Sequence, residues 1–181
     1  MMALTPVRES QLSALHALIH RAYRGDSARR GWTHEADLLD GQRTDPEALA
    51  AMLADPRQHL LAVWDGGEPL ACIALTEKGD GLVYVGLVTV DPERQGSGLG
   101  RLLLDAAERY AADALGANRA EMTVISLRTE LVHWYERRGY TLTGERRPFH
   151  HGDARFGLPR RGDLEFVVLE KPLIASGSAC P

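Results

Sequence analysis

Hydrophobic positions along the chain change their period several times, and each change marks an element. Leu4 to Arg8 reads as a short opening strand. From Ser10 to Tyr23, Leu12, Leu15, Ile19, Ala22 and Tyr23 recur three and four residues apart, the spacing of one helical face. Gly25 to Thr44 is charged and glycine-containing, with no clean period over its first half. Asp45 then offers an N-cap and Pro46 a first helical position, which predicts a helix through Leu53. Three β-prone runs follow, Leu60 to Trp64, Pro69 to Leu75 and Leu82 to Val90. Turns at Asp65-Gly66-Gly67-Glu68 and from Glu77 to Gly81 separate them, so they predict an antiparallel meander.

After Val90 the period lengthens again. From Leu99, the residues Leu102, Leu103, Ala106, Ala107 and Tyr110 predict an amphipathic helix ending near Gly116. Ala120 to Leu127 is apolar and β-prone, and strand, helix, strand of these lengths implies a parallel pair joined by a right-handed crossover. Glu130 to Arg138 reads as a short helix, with Gly139 suited to the left-handed position that ends it. Tyr140 to Glu145 and Leu164 to Glu170 make two more strands across a polar loop.

Composition narrows the class. The 181 residues suit one domain, expected over 1–174, with 175–181 a disordered tail. Hydrophobic residues at 44% and charged residues at 25% allow a packed core. Lys and Arg number 21 against 25 Asp and Glu, and the net charge of -4 disfavours general affinity for nucleic acid. No apolar run approaches the roughly 20 residues that cross a bilayer. Met1 to Pro6 lacks a basic segment leading into an apolar stretch, so a cytoplasmic protein without a membrane partner is expected. Cys72 sits in an apolar run and Cys180 in the polar tail, so neither a disulfide nor a metal site is expected.

The most informative stretch runs from Val88 through Val90-Asp91-Pro92 to Gly100. It takes a strand into a loop with glycines at 96, 98 and 100, and a helix begins at once. Glycines let backbone approach a ligand, and amides at a helix N-terminus form an anion site. The implied chemistry is phosphate or pyrophosphate binding. A P-loop would need Gly-Lys-Ser/Thr, and here Arg101-Leu102 follows Gly100. A dinucleotide fold would place the glycines after the first strand and an acid at the end of the next, and neither holds. Gln95-Gly96-Ser97-Gly98-Leu99-Gly100 instead resembles the Gln/Arg-x-x-Gly-x-Gly/Ala signature of the GNAT (GCN-five-related N-acetyltransferase) superfamily, behind its usual Val-x-Pro. Tyr135-Glu136-Arg137-Arg138-Gly139-Tyr140 resembles that family's second landmark, Tyr-x-x-x-Gly-Phe/Tyr, at the expected distance.

The resemblance implies roles for particular residues. The amides of Gln95, Gly96, Ser97, Gly98, Leu99, Gly100 and Arg101 would bind the coenzyme A pyrophosphate. The strand before them would carry a bulge and splay from its parallel neighbour, leaving the pantetheine arm against the main chain of Leu87, Val88, Thr89 and Val90. Tyr135 would be the general acid, a suitable type because an ordinary phenol, with a pKa of about 10, stays protonated at neutral pH. Many relatives place a Glu base on the strand corresponding to Leu82–Val90, but this run offers only Tyr84 and Thr89. A water relay, a carboxylate from the segment Gly31 to Asp45, or Glu77 is left to take the proton.

The same segment lies where the family varies its acceptor site. Trp32, Glu35, Asp37 and Asp40, with Tyr84 from the strand, are the substrate-binding candidates, the acids attracting a cationic amine. A solvated loop with Trp32 on the core is the competing reading. The loop opening with Arg146 to His151 is expected as the other wall. Adjacent His150 and His151 make a poor metal pair, and Arg155, Arg160 and Arg161 suit either an acidic acceptor group or solvent. The expected fold is therefore α/β (α+β), a GNAT-like twisted mixed sheet of about seven strands: an antiparallel meander plus a parallel splayed pair, with helices on both faces. The implied function is acetyl-CoA-dependent N-acetyltransfer to a small-molecule or peptide amine, without a metal. A non-catalytic acyl-CoA sensor and an O- or longer-chain acyltransferase are open alternatives, and a homodimer is an assembly the resemblance allows.

Overall fold

The computed structural model describes residues 3–24, 38–40, 43–149 and 158–177. Along them run β1 (Leu4–Pro6), α1 (Leu12–Tyr23), β2 (Leu39–Asp40), α2 (Pro46–Ala54), β3 (Gln58–Asp65), β4 (Glu68–Gly79) and β5 (Leu82–Val90). Then come α3 (Leu99–Ala114), β6 (Arg119–Ile125), α4 (Thr129–Glu136), β7 (Thr141–Pro148), β8 (Leu158–Pro159) and β9 (Glu165–Pro172). Seven strands form one sheet in the order β1-β3-β4-β5-β6-β9-β7, and β2 pairs with β8 separately. β5 and β6 are parallel, as the strand-helix-strand pattern predicts, and the other pairings are antiparallel.

Each helix is positioned by an apolar stripe. Leu15, Leu18 and Ile19 of α1 and Leu49 of α2 are buried with Leu60, Ala62, Cys72 and Ala74 on one face of the sheet. Leu99, Leu103, Leu104, Ala107 and Ala111 of α3 are buried with Leu61, Val63, Ala71, Ile73 and Leu75 on the other. β3 and β4 thus bury alternate residues on both faces, which explains their continuous apolar runs. Asp45 caps α2 as expected, its carboxylate accepting from Ala48 N–H at 2.7 Å. Among the described residues no helix is long and apolar enough to cross a membrane.

One expected turn shifts, and the place of the last strand and the β2–β8 pair had no counterpart in the sequence reading. β4 continues through Thr76, Glu77 and Lys78 to Gly79, so the expected turn from Glu77 tightens to the residues around Asp80. Backbone ladder bonds form there whatever the side-chain polarity. β9 inserts between β6 and β7, so the last strand in sequence is not an edge. Val168 and Leu169 of β9 are fully buried, whereas β7 is almost wholly exposed and carries Thr, Glu and Arg, the composition of a protected edge.

Candidate active site

β5 changes face part-way along its length, and the site begins there. Val83 and Val85 belong to the α3-side core, but Leu87 belongs to the α1-side core. Between Ala74↔Gly86 and Cys72↔Thr89 the register shifts, with one more residue on β5 than on β4, a β-bulge. Leu87 takes φ 49, a left-handed backbone that costs a non-glycine residue about 1–3 kcal/mol. The Thr89 hydroxyl secures it by donating to the Leu87 carbonyl at 2.8 Å. The parallel pairing of β5 with β6 covers only Leu82 to Tyr84 against Arg119 to Glu121. Beyond Tyr84 the two strands part, and β5 has no strand partner on that side among the described residues.

The glycine loop closes one end of this gap. Asp91 organises its start: the carboxylate accepts from Glu93 N–H at 3.0 Å and pairs with Arg21 of α1 at 3.0 Å. Gln95 Nε2 donates to the Val90 carbonyl at 3.2 Å. Gly98 is the N-cap of α3 with φ 85 and no side-chain cap, so the first-turn amides are left for another acceptor. A Cβ at Gly98 would meet nothing within 4 Å, so open space lies in front of them. The positive end of a 16-residue helix faces that space.

A cavity of about 270 Å³ runs from this loop along Val88, Thr89 and Val90 to α4, with Arg101 and Arg138 on its walls. Arg138 lies flat over Trp134, 3.6 Å from the ring centroid, and donates to the Trp134 carbonyl at 2.9 Å. Its Nε is buried and has no partner among the described residues. Burial, then the neighbouring Arg137 and Arg101, hold its guanidinium below the ordinary arginine pKa. An orphaned N–H, converging cations and uncapped amides are what a bound polyanion would relieve.

Tyr135 is placed by the end of α4. Gly139 N–H returns to the Glu136 carbonyl at 3.0 Å and Tyr140 N–H to the Tyr135 carbonyl at 3.2 Å, a Schellman motif with Gly139 at φ 92. The Tyr135 ring stacks edge-on against Trp134 at 5.0 Å and Tyr140 at 5.8 Å. Its hydroxyl has no hydrogen-bond partner among the described residues, and Tyr135 lines the cavity. Burial pushes this phenol well above the ordinary tyrosine pKa, so it keeps its proton. Tyr135 also lines a second cavity of about 370 Å³, which opens between β5, β6 and β7 and shares Tyr23, Val88, Arg128 and Leu131 with the first. Two cavities meeting at a buried, protonated tyrosine can bring two molecules into contact.

Comparison with known proteins decides the family. The model of the acetyltransferase (GNAT) family matches residues 14–140. The chain belongs to the GNAT acetyltransferase family. No curated protein sequence matches it. Solved structures share the fold at low identity. The Escherichia coli ribosomal-protein-S18-alanine N-acetyltransferase is 14% identical with TM-score 0.69, covering 100% of this chain and 99% of that one. A spermidine N-acetyltransferase SpeG chimera from Vibrio cholerae and hSSAT is 17% identical with TM-score 0.69, covering 94% and 95%. A GNAT-family acetyltransferase from Streptococcus pneumoniae is 16% identical with TM-score 0.64, covering 96% and 100%.

Within this GNAT fold the residues singled out from sequence separate into three groups. Val88, Thr89, Val90, Gln95, Gly96, Gly98, Gly100, Arg101 and Tyr135 line the first cavity, while Leu99 is buried beneath the loop and the Ser97 hydroxyl turns back to the Arg94 carbonyl. Leu87 and Tyr84 line the second cavity, where the Tyr84 hydroxyl is hydrogen-bonded to Thr123 Oγ1 at 2.6 Å. Trp32, Glu35 and Asp37 lie outside the described residues, and Asp40 is described only as backbone in β2. Glu77 lines neither cavity; it pairs with His59 at 2.8 Å, and His59 stacks on Tyr110 of α3. Among the described residues no group of three or more His, Cys, Asp or Glu is placed to hold a metal ion.

Sequence reasoning missed Tyr23 and Arg138. Tyr23 lines both cavities, and its hydroxyl donates to the Val88 carbonyl at 2.5 Å, tying α1 to the bulge. Its helical spacing marks it only as an apolar-face residue. Arg138 could have been found as a cation inside the Tyr-x-x-x-Gly-Tyr landmark.

Proposed function

We propose that this protein transfers an acetyl group from acetyl-CoA to a primary amine of a small molecule or peptide. The place of Tyr135 supports this most: a buried phenol with no partner for its hydroxyl among the described residues, where the two cavities meet. Acetyl-CoA would bind as a substrate with its pyrophosphate on the amides opening α3, between Arg101 and Arg138. The pantetheine arm would follow Val88 to Val90, and the amine would enter from the second cavity. The amine nitrogen attacks the thioester carbonyl carbon, the C–N bond forms, the C–S bond breaks, and the departing thiolate takes the Tyr135 proton. The nitrogen gives up its own proton to water. None of the described residues lining either cavity is Asp or Glu, which favours a water relay over a side-chain base. Holding both reactants in contact supplies much of the acceleration.

The solved relatives are named for different acceptors, the alanine of a ribosomal protein and spermidine, so likeness of fold leaves the amine open. The test is amine-dependent thiol release from acetyl-CoA, compared with Tyr135→Phe. A positioned acid contributes about 10²- to 10⁴-fold to rate. The coenzyme thiolate leaves readily, so kcat should fall by the lower end of that range with the KM for acetyl-CoA unchanged. An unchanged kcat would make Tyr135 a packing residue. Tight acetyl-CoA binding without turnover of any amine would favour the sensor reading.

A further inference from the structure

We infer that the acceptor amine carries an anionic group, a carboxylate or a phosphate, which the second cavity receives; this rests on reading the first cavity as the acetyl donor's. The charged residues lining the second cavity among those described are Arg43, Lys78, Arg128 and Arg147, with no Asp or Glu. Arg147 faces two carboxylates, its Nη1 donating to Glu121 at 2.9 Å and its Nε to Glu145 at 2.7 Å, so it adds no free positive charge. Arg43 and Lys78 are held differently. Arg43 lies 5.5 Å from the ring centroid of Tyr23, and Lys78 lies 5.8 Å from that of Tyr84. Both rings belong to the cavity wall. An aromatic face orders a cation without cancelling its charge, so both charges act on whatever enters.

The consequences differ by substrate class. A polyamine would bring further ammonium groups into a positive field over a partly apolar floor that includes Met122 and Phe166. An amine with an acidic group would cancel that field at one end and present its nitrogen towards Tyr135 at the other.

The experiment measures thiol release from acetyl-CoA with acceptor pairs differing in one charge. Free amino acids are set against their carboxamides, phosphoethanolamine against ethanolamine, and spermidine serves as the polycation. The anionic member should show kcat/KM at least about tenfold higher, and the pair that shows it identifies carboxylate or phosphate. Exposed ion pairs contribute up to about fivefold each, so Lys78→Gln and Arg43→Gln should each shrink the preference by about that factor. The change should appear in the acceptor KM, with the KM for acetyl-CoA unmoved. Equal or better turnover of carboxamides, ethanolamine or spermidine overturns the inference and leaves acetyl transfer standing. A preference undiminished in both variants also overturns it, since these cations would not be its source. Acetyl-CoA binding without turnover of any amine overturns the transferase reading, and this inference falls with it.

Discussion

Tyr135 and Tyr140 lie on either side of the end of α4, both buried, yet among the described residues only the Tyr140 hydroxyl is hydrogen-bonded. Tyr140 donates to Glu108 at 2.9 Å, and Lys171 holds the other Glu108 oxygen at 2.6 Å, a bridge between α3 and β9. Both phenols are raised above the ordinary tyrosine range, Tyr135 chiefly by burial and Tyr140 by burial and then the Glu108 charge. Removing the Tyr140 hydroxyl should therefore cost stability, about 1.5–3 kcal/mol for a hydrogen bond to a charged group. Denaturant melts of Tyr140→Phe should show that loss with kcat little changed, the reverse of Tyr135→Phe. A second expectation follows from the sign of the Tyr135 shift. A raised pKa keeps the acid protonated, so kcat should climb as the amine deprotonates and show no falling limb below about pH 10. A falling limb with an apparent pKa below 9 would assign the acid to another group. At this scale Tyr135 was legible because a motif surrounds it. Tyr23 was not, because its partner Val88 lies 65 residues away in sequence.

Two short elements carry the geometry, and each depends on a glycine in a left-handed conformation. Gly139 closes the Schellman motif that fixes the Tyr135 carbonyl and ring. A Cβ there would make ordinary contact with Lys171 at 3.4 Å, so the cost of Gly139→Ala is the backbone, about 1–2 kcal/mol. The melting temperature should fall accordingly, and kcat should fall with the acetyl-CoA affinity preserved. Gly98 opens α3 onto the first cavity. Gly98→Glu should abolish acetyl-CoA binding in calorimetry by setting a carboxylate against the amide cradle, while Gly98→Ala, with backbone strain alone, should weaken it less. Unchanged affinity in a folded Gly98→Glu protein would remove the loop from the coenzyme site. The loop, the helix after it and the helix end at Gly139 were all legible, since glycine placement and apolar spacing are local signals. A bulge in the strand before the loop was expected from the family resemblance, but the change of face at Leu87 was not legible. Val83, Val85, Leu87 and Thr89 alternate evenly with less buried neighbours, and only tertiary packing shows that a bulge sends Leu87 to the opposite core.

Across the whole molecule, the parallel crossover from β5 through α3 to β6 sets the site, because strands that pair over three residues and then part leave a gap for a ligand. The seven strands of the main sheet, the meander and this crossover could be read from sequence, whereas the β2–β8 pair could not. The position of β9 inside the sheet could not, because edge and interior strands differ in partners more than in length. Of the residues lining the second cavity, Tyr84 and the segment opening with Arg146 were expected at an acceptor site, whereas Arg43 and Lys78, distant from them in sequence, were not. The expectation of an acidic acceptor site at Glu35 and Asp37 falls on residues outside those described, and the described walls carry the opposite charge. The most direct measurement supplies acetyl-CoA labelled with carbon-13 in the acetyl group, together with an amine panel, and follows the label by mass spectrometry. One labelled acetyl is expected on the amine nitrogen for each free coenzyme A thiol, with little product from Tyr135→Phe. Thiol release without labelled amide, or label appearing on an alcohol oxygen, would contradict transfer to the amine.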